Sequence, residues 1–443
     1  MKVHFISLGC DKNLVDSEVM LGMLAKEGYS FTEDETEAEA IVINTCCFIN
    51  DAKEESINTI LQMAELKKSG QVKALIVTGC LAQRYQEEIQ KEIEEVDAII
   101  GTSAIETIVT TLNEVLSGKG TNHIASLDQA PLAGEERVIT TGGYYSYLKI
   151  AEGCDKHCTY CIIPKIRGRY RSIPEEKLVS EAEMLAEKGV KELILVAQET
   201  TLYGMDLYGA KTLPRLLRQL CRVKGIEWIR ILYCYPEEIT EELIQTIKEE
   251  KKICHYLDIP IQSGSDRILK KMGRRTDTAQ MEELIGHLRA EIPDICIRTT
   301  FITGFPGETE EDHEETMAFI NEMEFDRLGV FTYSPEEDTP AAVMDGQIDE
   351  DTKIRRRDAI MELQQEIAYE AAEGMEGRRL RAMVEGKLSE EDVYVARTYK
   401  DAPEVDGYLF ITTERTLMSG DFVEVVVTGS HEYDLMGELV EES

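Results

Sequence analysis

Short apolar runs recur through the first hundred residues, at 3–8, 41–43, 74–77 and 98–100, with polar, helix-compatible stretches between them. Strand-length runs alternating with helical segments predict an α/β domain built on a parallel sheet. Residues 118–143, bounded by S-G-K-G and T-T-G-G, lack periodicity and predict a linker. The rhythm then resumes. Runs at 147–151, 192–197, 228–233, 256–261, 295–303 and 327–332 alternate with helix-compatible segments such as 174–188, 241–251 and 309–323. Six such units predict a partial (β/α)6 version of the eight-unit barrel, with functional groups at the carboxyl ends of the strands. A charged amphipathic helix over 354–375 follows, and short β-rich runs at 381–384, 393–396, 408–411 and 422–428 predict a small terminal barrel of five strands. The predicted units are 1–117, a linker at 118–143, then 144–375 and 376–443.

The chemistry is carried by cysteines placed on this frame. Cys154, Cys158 and Cys161 stand in G-C-D-K-H-C-T-Y-C, directly after a predicted strand. Three thiolates in a C-x3-C-x2-C pattern suit a four-iron cluster with one iron left open, a position that adenosylmethionine can fill. Zinc would want a fourth ligand nearby, where only His157 stands, and an electron-carrying cluster would show a fourth cysteine. The bare spacing leaves both of these readings open. Three strands of the first domain also run straight into a cysteine, as S-L-G-C at Cys10, I-N-T-C at Cys46 and V-T-G-C at Cys80. Strand ends of a parallel sheet open onto one crevice, so these three can converge on a second metal site. Each taken singly reads equally well as a core cysteine, and Cys47, beside Cys46, reads as packing.

Composition narrows the partners. The 443 residues carry 85 acidic against 48 basic side chains, a net charge of -37, which repels polyanions and counts against nucleic acid as a direct substrate. Residues 376–443 hold 16 acids and 7 bases, a balance of -9, so the terminal barrel does not read as a phosphate binder. No run approaches a membrane span and no signal-peptide pattern opens the chain, which predicts a cytoplasmic protein with no membrane partner. Eleven cysteines in that setting point to metal or redox chemistry rather than disulfides.

The cysteine triplet, the three strand-end cysteines and the small terminal barrel together resemble the radical adenosylmethionine methylthiotransferases, over essentially the whole chain. Residues 7–18, S-L-G-C-D-K-N-L-V-D-S-E, resemble the ribosomal-protein branch of that family, the RimO type. So do 161–172, C-I-I-P-K-I-R-G-R-Y-R-S, then Y-C-Y-P-E at 233–237 and R-T-T-F-I-T-G-F-P-G-E-T at 298–309. The alternative is the branch that modifies adenosine in tRNA, for which a basic terminal barrel is expected. The chain departs from the branch pattern at Gln262-Ser263-Gly264-Ser265, which lacks a histidine, and at Glu199, Ile173 and Asp338, where aspartate, arginine and glycine are usual.

The resemblance implies an amino-terminal cluster domain, a radical-SAM domain and a TRAM barrel. It implies two [4Fe-4S] clusters, one on Cys154, Cys158 and Cys161 and one on Cys10, Cys46 and Cys80, together with S-adenosyl-L-methionine as methyl donor and radical source. The implied reaction adds a methylthio group to the β-carbon of an aspartate in the small-subunit ribosomal protein of the decoding centre, free or in the assembled subunit, with flavodoxin or ferredoxin as reductant. Tyr160, Gln198, Glu199 and Arg298 are the implied cofactor-binding residues. Lys165, Arg167 and Arg169 form a basic group that reads either as a carboxylate partner or as a solvated loop.

Overall fold

A computed structural model of the chain describes residues 1–388 and 392–440. In the amino-terminal unit, β1 (Lys2–Ser7), β2 (Ser30–Phe31), β3 (Ala40–Thr45), β4 (Ala74–Gly79) and β5 (Ala98–Ile100) form a parallel sheet in the order β2-β1-β3-β4-β5. Every residue of β3 and β4 is buried, because helices cover both faces. Ala40 and Val42 pack on Val19, Met20 and Leu24 of α1 (Asp11–Lys26), whereas Ile41 and Ile43 pack on Ile60, Met63 and Ala64 of α2 (Asn50–Lys68). The order makes β1, β3 and β4 immediate neighbours, so the three strands that run into Cys10, Cys46 and Cys80 end side by side.

The expected linker is no free tether. Residues 118–143 contain no helix or strand, yet His123 bridges to Ile100 and the Val138 amide donates to the Glu18 carbonyl of α1. Arg137 is buried between Glu18 and Glu181, 3.4 Å from each. The segment straps the first unit to the second because a buried guanidinium must keep its carboxylates.

The second unit is the expected open barrel. β6 (Tyr145–Lys149), β9 (Glu192–Val196), β10 (Trp228–Ile231), β11 (Ile253–Asp258), β12 (Cys296–Thr303) and β13 (Arg327–Thr332) pair in parallel in the order β13-β12-β11-β10-β9-β6. Two predicted strands are displaced. The run at 147–151 divides, because β7 (Ala151–Glu152) leaves the sheet to pair antiparallel with β8 (Arg171–Ser172) and so closes the base of the cysteine loop. The run at 256–261 ends at Asp258, ahead of Pro260, which has no N–H for the ladder.

The terminal strands β14 (Arg379–Lys387), β15 (Val393–Thr398), β16 (Leu409–Thr412), β17 (Phe422–His431) and β18 (Asp434–Leu439) close a barrel in the order β14-β15-β16-β18-β17. The predicted unit 376–443 includes 389–391 and 441–443, which lie outside the described residues. This barrel seals the floor of the open one. Met383 and Ala402 pack against Tyr145, Trp228, Tyr256 and Cys296. Around them Glu192, fully buried, accepts from Arg230 Nε at 2.9 Å and from Arg397 Nη2 at 2.8 Å. Asp401 pairs with Arg327 and Asp406 with Arg298, so part of the acidity of the terminal barrel is neutralised within the molecule, while Lys400 of the barrel pairs with Asp326.

Replacing Glu192 with alanine strands two buried guanidiniums. The variant is expected to lose about 3–5 kcal/mol and to expose the 374–378 junction to protease; denaturant unfolding and limited proteolysis check this, and a loss under about 1 kcal/mol contradicts it.

Candidate active site

The crevice between the first two units is where the cysteines gather. Gly9 has φ +92, and a Cβ there would stand 2.7 Å from Cys46 Cβ and 2.9 Å from Cys46 Sγ, so only glycine lets the two chain segments meet. This brings Cys46 against the turn that carries Cys10, the residue before α1. The Cys46 amide donates to Ser56 Oγ, and the same hydroxyl donates back to the Cys46 carbonyl. Cys80 starts a short helix and is buried. Loss of water pushes the Cys46 and Cys80 thiols up, and in both the Arg167 guanidinium opposes the rise. Cys10 raises both further, and Cys46 also raises Cys80. Cys47 points instead into the apolar core with Ile60 and Val77.

The second triad lies in the loop between β7 and β8. Gly153, φ +81, sits where any Cβ would strike the carbonyls of Gly168 and Arg169, and the Cys154 amide donates to Gly168 O at 3.2 Å. Thr159 is tied to Met272, and Ala341 donates to the Thr159 carbonyl. Ile162 and Ile166, just beyond the triplet, insert into the core of the first unit beside Leu81 and Ala82. Burial pushes the Cys154 and Cys161 thiols up to about 12. Becoming ligands, they must lose protons, and the metal centre has to supply the opposing charge. Among the described residues no three His, Cys, Asp or Glu side chains gather tightly enough for one metal ion, which for tetrahedral zinc means sulfurs about 3.8 Å apart.

The end of β10 links the triads. Tyr233, in the left-handed region at φ 61, reaches Asp11 through its hydroxyl at 3.2 Å, and Lys12 Nζ stands 3.3 Å from its ring centre. Two residues on, the Tyr235 hydroxyl lies 3.2 Å from Cys158 Sγ, and its ring is flanked by Arg274 at 4.2 Å and Lys156 at 4.8 Å. Among the described residues seven non-glycine positions have positive φ, and two of them, Tyr233 and His157 of the cysteine loop, lie here. Such strain persists where surrounding contacts over-determine it, as at functional sites.

The expected cofactor residues fare differently. Tyr160 packs edge-on against Phe305, 6.5 Å between ring centres, and its phenol is pushed well up by burial beside Cys158 and Cys161. Glu199 is fully buried near Cys154; Oε1 accepts from the Thr201 amide, while Oε2 has no hydrogen-bond partner and lies 3.9 Å from Lys156 Nζ. Gln198 has both ends engaged, donating to Glu152 Oε1 at 2.8 Å and accepting from the Gly153 amide at 2.9 Å, so it braces the cysteine loop. Arg298 is held by Asp406 at 2.7 Å and by Asp258 at 3.7 Å, an anchor for the terminal barrel and not a free cation over the triplet. Lys165 donates to the Asp338 carbonyl and Arg169 is exposed, but Arg167 is buried and not part of a solvated loop.

Residues 2–101 match the uncharacterized protein family UPF0004, residues 148–320 the Radical SAM superfamily and residues 377–440 the TRAM domain. Over 437 residues, 99% of each chain, the sequence is 64% identical to the ribosomal protein uS12 methylthiotransferase RimO of Lachnoclostridium phytofermentans. The chain belongs to the RimO methylthiotransferase family. It is 48% identical to the RimO of Clostridioides difficile, over all of this chain and 99% of that one. Among solved structures, the radical S-adenosylmethionine methyltransferase TsrM of Kitasatospora setae superposes with TM-score 0.56 at 15% identity over 77% of each chain. The cobalamin-dependent S-adenosylmethionine radical enzyme OxsB superposes with TM-score 0.52 at 14% identity, over 83% of this chain and 56% of that one. Those two likenesses show a shared fold. As a RimO family member the chain is a radical adenosylmethionine methylthiotransferase, a class that uses [4Fe-4S] clusters and S-adenosyl-L-methionine. The donor set fits: two groups of three cysteines, with an orphaned carboxylate oxygen on Glu199 beside one of them.

Burial pushes the Glu199 carboxyl from 4.5 to about 7, with Thr201 and Lys156 opposing. The folded state therefore holds a proton that the unfolded state releases between those two values, and stability falls as pH rises through that window. In protein prepared without iron, Glu199→Gln is expected to gain on the wild type by up to about 3 kcal/mol between pH about 4.5 and above 7. Parallel denaturation curves across that range check it; a constant offset contradicts it.

Proposed function

We propose that this chain transfers a methylthio group to the β-carbon of an aspartate in ribosomal protein uS12. That its relatives are ribosomal protein uS12 methylthiotransferases supports that substrate. In this reading Cys154, Cys158 and Cys161 hold the radical-generating cluster, and Cys10, Cys46 and Cys80 hold an auxiliary one. The observation that supports it is that the chain after β10 reaches both groups of cysteines, Tyr233 at Asp11 beside Cys10 and Tyr235 at the Cys158 sulfur. Bound there, the clusters and adenosylmethionine supply one-electron cleavage of a sulfonium and a seat for the transferred sulfur.

The protein's own side chains then have definite tasks. Glu199 Oε2 offers an acceptor to an ammonium group, and Lys156 keeps a cation within 3.9 Å of it. Tyr235 points its hydroxyl at the Cys158 sulfur, where it donates once that sulfur is a thiolate. Gln198 holds Gly153 and so the approach of Cys154. No Ser/His/Asp arrangement is needed, since an unactivated C–H bond does not yield to acid–base chemistry. Among the described residues no helix is long and apolar enough to cross a membrane. We place the reaction in the cytoplasm, on uS12 free or in the assembled small subunit, with a flavodoxin or ferredoxin as electron donor.

Anaerobic incubation of the reconstituted enzyme with adenosylmethionine, sulfide, reductant and either uS12 or tRNA, followed by mass spectrometry, is expected to show a methylthio group on the uS12 aspartate. A product on tRNA and never on uS12 would falsify this assignment. Changing Cys10, Cys46 and Cys80 together to alanine should leave release of 5′-deoxyadenosine intact and abolish methylthio transfer. Full transfer by that variant removes the second set of cysteines from the scheme.

A further inference from the structure

Arg167 joins the two cysteine sets. It ends the short helix Ile163–Arg167 and is 2% exposed. Its Nη2 lies 3.4 Å from Cys80 Sγ and also donates to Asn13 Oδ1. Its Nη1 donates to Asp16 Oδ2 at 2.7 Å and to Glu152 Oε2 at 3.2 Å. The other oxygen of Glu152 accepts from Gln198, and Gln198 in turn accepts from the Gly153 amide, one residue before Cys154. A continuous run of hydrogen bonds thus leads from the Cys80 sulfur through Arg167, Glu152 and Gln198 to the loop of the other triad. Lys149 completes the cluster, donating to Asp16 and, at 2.9 Å, to Glu152.

Stability alone does not account for this arrangement. Buried ion pairs of this kind are often no more stable than apolar packing of the same volume. Here two cations face two carboxylates, all at most 8% exposed, and one guanidinium donor is still directed at a sulfur. Hydrogen bonds to cluster sulfurs and local charge are what set an iron–sulfur reduction potential.

We propose that Arg167 is a positioning residue that raises the reduction potential of the centre held by Cys10, Cys46 and Cys80, with Asp16 as the counterweight that limits the effect. The inference rests on the reading that those cysteines hold a cluster. A cation at Cys80 favours any added negative charge on that centre, whether an electron or an anionic sulfur. Glu152 and Gln198 carry the same guanidinium's position to the Cys154 loop, so one side chain registers both sites.

The two charged partners predict opposite signs. In the reconstituted full chain without added sulfide, titration with dithionite and mediators followed by electron paramagnetic resonance separates the clusters, because adenosylmethionine then finds no sulfur to methylate at the other centre and perturbs only the one on the radical triad. Arg167→Met is expected to make one-electron reduction of the unperturbed cluster at least tenfold less favourable, a shift of 59 mV downward. Asp16→Asn is expected to shift it upward, and the radical cluster should move less in both. Unchanged midpoints, or shifts of the same sign in both variants, overturn the proposal. If Arg167→Met does not assemble, an unchanged or lowered midpoint in Asp16→Asn overturns it alone. A single cluster signal in the unaltered protein overturns the underlying reading together with the proposal.

Discussion

Arg167, Lys149, Asp16 and Glu152 lie buried where the amino-terminal sheet meets the mouth of the barrel, and the geometry of the crevice depends on their mutual neutralisation. Any one of them left alone would face a desolvation cost of several kcal/mol. The helix carrying Asp16 therefore cannot slide against the strands carrying Lys149 and Glu152. That helix begins directly after Cys10, and the strand of Glu152 leads into Cys154. The ion cluster is thus what holds the two triads at a set separation while Ile162 and Ile166 bury the seam beside it.

The terminal barrel obeys the same rule at the other end of the molecule. Its Asp401, Asp406 and Glu385 meet Arg327, Arg298 and Arg397, so their charges are matched inside the protein. The acidity of 376–443 is consequently a weaker argument about partners than its bare balance suggests. The choice of uS12 over tRNA rests more firmly on the relatives than on that charge.

The thiols illustrate how a fold stores reactivity. Burial pushes Cys46, Cys80, Cys154 and Cys161 toward the protonated form, which protects them until a centre arrives to take the protons' place. The strained residues at the crevice, Tyr233 among them, are held by neighbours such as the Asp258 carboxylate, which accepts from the Tyr233 amide at 3.0 Å. Strain and desolvation both concentrate where the chain's chemistry is proposed to occur.

Much of this was legible in the amino-acid order. Alternation of apolar runs and helical stretches sufficed for both α/β units, because parallel strands buried on two faces are apolar throughout. Strand-end cysteines pointed to one crevice because parallel topology leaves few other outcomes. The fifth strand, β18, has no strand signature of its own, since D-L-M-G-E-L is short and packs Gly437, a residue of low strand propensity, against Val425. Side-chain partnerships were beyond sequence reasoning altogether. Arg298 and Arg167 look alike in a string of letters, yet one anchors a distant barrel and the other meets a cysteine 87 residues away. Periodicity and spacing determined which elements form and which residue types the chemistry would use. Only tertiary packing decided which charges lost their water together, and that depends on contacts between segments far apart in the chain.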